Sequence, residues 1–293
     1  MAEYYLSAFA DESGKELDTQ IAALQRNGIR FMEIRGVDNG KIELQADSTV
    51  REIRKKTDAA GIGFSALGSA LGKSEIEKPF GPSLENLKRD CEICEMLGTK
   101  RIRMFSYFIP KEKNVRDYRE EVLERLHRLC DYAASQGITL LHENEALIYG
   151  EKPEEVLDIR ANEPRLGHIY DPSNYQMADA DPGFCIENIL PFTDYLHIKD
   201  CTKDHVIVPA DYGDTRMGEA ILRHSELKKG DSFLVLEPHL KAFMGYSEMD
   251  SHELKNKFHF ENHTESFDCA VRSLKALLQK IGFTEGENGK WKK

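Results

Sequence analysis

The sequence predicts a (β/α)8 TIM barrel, an α/β fold in a single domain over residues 1–293. Three observations carry the prediction. Short β-type runs alternate with longer helical runs along the whole chain. There are eight of each in 293 residues, close to the usual barrel size of about 250. The first strand-to-helix turn, Asp11-Glu12-Ser13-Gly14, lacks the G-x-G-x-x-G that opens a doubly wound dinucleotide-binding sheet. Strands separated by helices run parallel, because each helix is the crossover.

Taken in order, the first strand is read over Tyr4–Ala10, and a helix over Lys15–Asn27 is stopped by Gly28. Arg30–Arg35 is the second strand. A helix over Thr49–Ala60 buries Ile53, solvates Arg51, Glu52, Lys55 and Lys56, and ends at Gly61. Gly63–Ser69 is the third strand, and Ser83 is read as the cap of a helix running to Leu97. Arg101–Ser106 is the fourth strand. The helix over Asn114–Gln136 carries Val122, Leu123, Leu126, Leu129 and Ala133 at helical spacing. Ile138–Asn144, a helix over Pro153–Arg160, Leu166–Asp171 ended by Pro172, and a short helix near 183–190 follow. Tyr195–Lys199, a weak helix over Gly218–His224, Ser232–Glu237 and a helix over Thr264–Ile281 complete the eight units. Two loops are long, at 201–217 and 240–262, and loops of that length tend to be functional.

Composition excludes several function classes. The net charge is −11, which lacks the basic footprint of a nucleic-acid binder. Charges interrupt every apolar stretch before the roughly 18 residues of a membrane span. Met1–Asp11 has no basic and apolar leader, so secretion is not expected. Six scattered cysteines read as free thiols of a reducing cytoplasm. Cys91 and Cys94 continue a helical stripe with Leu87 and Leu97, which predicts core packing and not a redox or zinc motif. His127, His224 and His252 are expected to be solvated. The partners left are small molecules and metal ions, and a homo-oligomer stays open.

In a barrel the chemistry lies at the C-terminal strand ends. Glu143, Asp171, His197 and Glu237 sit there on four consecutive strands, each after an apolar or β-branched run. A carboxylate so placed is costly unless paired or bound to a cation. Any one of them alone would serve equally as a polar strand end that caps a helix or binds water. Together, three carboxylates and one imidazole suit a divalent ion of intermediate hardness, such as Mn²⁺, Mg²⁺ or Co²⁺, more than a thiolate-loving ion. Glu145 competes with Glu143, since both lie on one strand face. Lys199, His239, Glu33, Arg35 and Arg103 share the inward parity and are candidates for holding substrate. Arg35 and Arg103 could instead form a buried brace with Glu33. The Gly68–Lys73 segment could lend backbone N–H groups to an anion, though it lacks P-loop spacing.

At these residues the chain resembles the sugar phosphate isomerase/epimerase family of xylose isomerase-like TIM barrels. The resemblance rests on M-E-I-R-G at 32–36, G-S-A-L-G-K at 68–73, R-M-F-S at 103–106, L-H-E-N-E at 141–145, Y-D-P-S-N at 170–174, H-I-K-D at 197–200 and L-E-P-H at 236–239. It implies one divalent ion on Glu143, Asp171, His197 and Glu237, commonly manganese, with magnesium, cobalt or zinc as alternatives. It also implies Glu143 and Glu237 as an acid/base pair. Ketose 3-epimerases have histidine where this chain has Asn174, which implies a different grip on substrate. The expected activity is isomerisation or epimerisation of a small sugar or sugar phosphate through an enediolate, with the loop at 240–262 closing over the site. The alternatives are a metal-dependent lyase or dehydratase on a keto sugar and a non-catalytic sugar-binding barrel.

Overall fold

The computed structural model describes residues 1–38, 40–241 and 258–293. Eight strands form the barrel: β1 (Ala2–Ala8), β2 (Phe31–Ile34), β3 (Gly63–Leu67), β4 (Arg101–Met104), β5 (Thr139–Glu143), β6 (Gly167–Tyr170), β7 (Thr193–Ile198) and β8 (Gly230–Leu236). They pair in sequence order, all parallel. The barrel closes where β8 pairs with β1, from Ala2 opposite Gly230 to Ala8 opposite Leu236. The helices are α1 (Leu17–Arg26), α2 (Asp47–Ala59), α3 (Gly81–Leu97), α4 (Arg119–Ser135), α5 (Pro153–Asn162), α6 (Pro172–Met177), α7 (Pro182–Asn188), α8 (Met217–Leu227) and α9 (His263–Lys280).

The sequence pattern misses some local detail. Pro172 does not merely stop the sixth strand; it opens α6, where a missing N–H costs nothing. Asp171 caps that helix, its Oδ1 accepting the Asn174 N–H at 2.9 Å. The helix read from Ser83 begins at Gly81, with Ser83 buried in its first turn. The helix read over Asn114–Gln136 starts as a 3-10 turn, Val115–Tyr118, whose cap Asn114 accepts the Arg116 N–H. The loop at 201–217 is folded, not open. Asp200–Cys201 pairs antiparallel with Ile207–Val208. The Asp200 carboxylate gathers the N–H groups of Asp211 and Gly213 and the Thr215 hydroxyl. Of the loop at 240–262, residues 242–257 lie outside the described residues, and His252 with them.

Side-chain parity builds the interior. The lower end is plugged by Tyr5, Phe31 and Phe233, with ring centroids 5.0–6.3 Å apart, and Arg101 lies over Phe233. Above them Phe9, Leu141, Ile169, Tyr195 and Val235 form a small buried cluster. The outward parity of the strands joins the helices in one large core that includes Tyr4, Leu6 and Ala8. Cys91 and Cys94 are buried free thiols on the inner face of α3. A C-terminal strand, Lys290–Lys292, runs antiparallel to β1 at Tyr4–Tyr5 and buries Trp291. Among the described residues no helix is long and apolar enough to cross a membrane.

His224 is buried, against the solvated position expected for it. The Ala220, Ile221 and His224 face of α8 packs inward, and Tyr4 Oη lies 2.8 Å from His224 Nδ1. His142 and His168 are also buried, on neighbouring strands, with His142 Nε2 3.0 Å from Ser106 Oγ. Burial holds His142 and His224 down at about 4 each. These imidazoles fold neutral, whereas the unfolded chain binds protons at them below about pH 6.5. Stability contributed this way is present above that value and lost as pH falls toward 4, by up to about 3 kcal/mol per histidine. The part of the urea midpoint that these two histidines carry should therefore fall between pH 6.5 and 4. A His142→Asn/His224→Gln double variant should flatten that slope, and an unchanged slope would refute the assignment.

Candidate metal centre

The upper end of the barrel collects charge because successive inward positions of its strand ends are polar. Glu143 ends β5, Asp171 follows β6, His197 lies in β7, and Glu237 follows β8. All four are buried, and one donor atom from each lies within 4.8 Å of the other three. His197 Nδ1 is 2.9 Å from Glu143 Oε1 and 3.3 Å from Glu237 Oε2. Asp171 Oδ2 and Glu237 Oε2 are buried and accept no hydrogen bond, although Lys199 Nζ stands 3.0 Å and 3.6 Å from them. Converging carboxylates with such unsatisfied oxygens, plus one imidazole, fit a divalent cation by donor type and by spacing. Glu145 is not part of this group: its Oε2 pairs with Lys73 Nζ at 2.9 Å.

The other candidates surround the cluster. Arg35 Nη1 reaches Glu237 Oε1 at 2.7 Å, while its Nε and Nη2 hold Asp11 and Glu12. Arg103 Nη1 lies 3.2 Å from Glu143 and 3.4 Å from Glu237, and its other nitrogens donate to the Gly68 and Ser69 carbonyls. The brace with Glu33 is thus replaced by pairing to other carboxylates. Glu33 accepts the Tyr195 hydroxyl at 2.8 Å and lies 3.5 Å from His197 Nε2. His239 donates its backbone N–H to Glu12, and its left-handed φ of 47° is a strain a non-glycine residue keeps only where its surroundings impose it. Asn174 turns its amide to the Asn144 carbonyl at 2.8 Å.

Three contributors carried no role in the sequence reading. Phe9 is a buried floor: both guanidinium groups lie over its ring, at 4.2 Å and 4.8 Å, and the edge of His197 meets it. Asp11 and Glu12 supply the outer grip on Arg35. The signal for Phe9 is its inward parity with Tyr5 and Ser7; Asp11 and Glu12 directly follow the first strand.

Burial raises each carboxylate, and the neighbours decide the outcome. Burial lifts Asp171 to about 7 even against Lys199. It lifts Glu12 to about 8 despite Arg35. For Glu237 the field of Lys199 and the His197 contact outweigh burial and hold it well below the usual range. His197 and Arg103 do the same, less strongly, for Glu143. Burial would lower His197, but Glu143 and Glu33 keep it well above its ordinary value. Asp11, Glu12, Glu33, Glu143, Asp171 and Glu237 thus face three permanent cations, Arg35, Arg103 and Lys199, among the described residues. The six carboxylates outnumber the three cations, so the cluster is acidic overall and suited to a further cation.

A family model for the xylose isomerase-like TIM barrel matches residues 21–262. No curated protein sequence matches the chain. Among solved structures, a probable 3-DHS dehydratase, AsbF of Bacillus anthracis, superposes with TM-score 0.72 at 14% identity, covering 93% of this chain and 98% of that one. An IOLI protein with a binding zinc atom gives TM-score 0.72 at 14% identity over 94% and 99%. An L-ribulose 3-epimerase gives 0.71 at 14% identity over 96% of each chain. At these identities the likeness establishes the fold.

Metal added to the chelated protein should raise its melting temperature. An ion at 100 times its dissociation constant contributes about 2.7 kcal/mol, a rise of several degrees for a chain of this size. Asp171→Asn keeps a good helix cap but removes a donor charge, so it should fold and lose most of the Mn²⁺ shift in a thermal melt. A full shift in that variant would exclude Asp171 as a ligand.

Proposed function

The chain belongs to the xylose isomerase-like TIM barrel family, and from that footing we propose that it is a divalent-metal-dependent isomerase or epimerase of a small sugar or sugar phosphate. The observation that carries the reading is the pair Glu143 and Glu237. Both are buried at the C-terminal ends of the barrel strands β5 and β8, both lie within 3.3 Å of His197, and both are held below the usual carboxylate range by nearby cations. An ionised carboxylate in a buried site is placed to accept a proton from carbon.

Glu143, Asp171, His197 and Glu237 would hold the ion, which supplies Lewis acidity toward a carbonyl and its neighbouring hydroxyl. One glutamate takes the proton on the carbon next to the carbonyl; the other takes up a proton from solvent and delivers it to the product, and the first then releases its proton to solvent, so both end ionised as they began. Such acid–base help is typically worth about 10²–10⁴ in rate. Lys199 stabilises negative charge developing on a substrate oxygen, and His239 orients another. Glu33, held by the Tyr195 hydroxyl, lies 3.5 Å from His197 Nε2 and favours its charged form. Arg35 and Arg103 act through the carboxylates they clamp, while Asn174 steadies the turn after β6. The likeness to an L-ribulose 3-epimerase and to a protein with bound zinc supports this reading. The likeness to a probable dehydratase supports a second, in which the same proton removal ends in elimination.

Incubating the Mn²⁺-loaded protein with keto and aldo sugars in deuterated water separates the two. An isomeric product with deuterium on carbon supports isomerisation or epimerisation; a product lighter by one water supports the dehydratase. Glu237→Gln should reduce turnover of the identified substrate by at least about 10²-fold and weaken Mn²⁺ binding. Near-normal turnover in that variant would remove Glu237 from the acid/base pair.

A further inference from the structure

We propose that Asn144 is a positioning residue for the ion: its side-chain amide stands in for a missing strand neighbour of Asp171 and so aims Asp171 Oδ2 at the other three donors. The inference rests on the metal-dependent reading and adds to it a residue that acts through Asp171, not by touching ion or substrate. Asp171 lies just past the support of the barrel ladders. The β5–β6 ladder ends with Glu143 opposite Ile169, and the β6–β7 ladder ends with Tyr170 opposite Leu196. The Asp171 backbone is still extended, at φ −105° and ψ 104°. Its N–H and C=O therefore point the same way, as in a strand residue that exchanges both bonds with a neighbour. The Asn144 amide takes them both. Its Oδ1 accepts the Asp171 N–H at 3.1 Å, and its Nδ2 donates to the Asp171 carbonyl at 3.1 Å.

Asn174 closes the clamp from the other side. Its backbone N–H donates to Asp171 Oδ1 at 2.9 Å, and its Nδ2 donates to the Asn144 carbonyl at 2.8 Å. Four hydrogen bonds among three buried residues thus fix the Asp171 main chain and one of its carboxylate oxygens. Oδ2 is the oxygen that accepts no hydrogen bond, and it faces the side where Lys199 Nζ stands 3.0 Å away. The clamp asks for asparagine in particular. One short planar group must accept from an N–H and donate to a carbonyl at once. Aspartate has no donor and would set an oxygen against the Asp171 carbonyl. Serine is too small to span both groups, and glutamine is longer by a methylene. Asn144 is fully buried, and a buried amide with both groups engaged holds its position. Groups that orient a metal ligand in this way set the affinity of the ion although they do not touch it.

The test is a double-mutant cycle on the full chain, read as Mn²⁺ affinity. Free Mn²⁺ is followed by electron paramagnetic resonance and raised into the millimolar range. Asn144→Ala should weaken Mn²⁺ binding by about 10–100-fold, the usual effect of losing a group that orients a ligand. Asp171→Ser keeps a helix cap but removes the ligand. In that background Asn144→Ala should cost less than about twofold, since nothing is left for it to orient. Melts of the four chelated proteins show that each is folded. Should Asn144→Ala not fold, Asn174→Ala takes its place and should show the same coupling at a smaller factor. An equal loss in both backgrounds would mean a general loosening of the barrel mouth and would overturn the inference. Full Mn²⁺ affinity in the folded Asn144→Ala protein would overturn it too, and both results leave the metal-dependent reading standing. Undiminished Mn²⁺ affinity in Asp171→Ser would instead overturn the metal centre itself, and the inference with it.

Discussion

Closing eight parallel strands brings their upper ends to one small volume, and in this chain those ends carry more negative than positive charge. An unpaired ion in a buried site costs several kcal/mol, so the charges cannot be independent of one another. Arg35 spans from Asp11 and Glu12 to Glu237, and Arg103 spans from the β3 end carbonyls to Glu143 and Glu237. Each guanidinium therefore ties elements that are distant in sequence, and the β1–β8 closure and the charged cluster reinforce one another. Phe9 seals the cluster from the apolar interior below. What the fixed cations leave unmatched is a gap that protons or one divalent ion can fill.

That constraint also orders the roles of the individual residues. Glu143, Asp171, His197 and Glu237 are the group whose side-chain oxygen and nitrogen atoms converge within 4.8 Å. The arginines face Glu143 and Glu237 from outside and so fix where those carboxylates point. Lys199 sits between Asp171 and Glu237, 3.0 Å and 3.6 Å from their carboxylate oxygens. Lys73 and Glu145 pair with one another apart from that group.

Much of this was legible in the sequence, for physical reasons. The alternation of runs gave the barrel, because period-two and helical patterns cannot be exchanged without exposing a core face. The four strand-end donors stood out because a charged residue after an apolar run demands a partner. The failures were also specific. Pro172 was read as a terminator although proline is equally at home in a first helical turn, so α6 was hidden. For Arg35 and Arg103, parity alone leaves substrate binding and a brace with Glu33 equally open. Parity fixes which face a side chain takes but not which of several inward carboxylates it meets. Asp11 and Glu12 were noted only for the glycines they replace. His224 looked solvated because the short α8 carries a weak pattern, and its hydroxyl partner, Tyr4, is 220 residues away.

The central claim is that one divalent ion completes the charge at the barrel mouth, held by Glu143, Asp171, His197 and Glu237. Its most direct test is a crystal of the protein soaked in millimolar Mn²⁺ and measured at the manganese absorption edge. The account predicts a single strong anomalous peak within coordination distance of all four side chains, with Glu145 still on Lys73. No peak in that volume, or a strong peak bound by other residues, would contradict it.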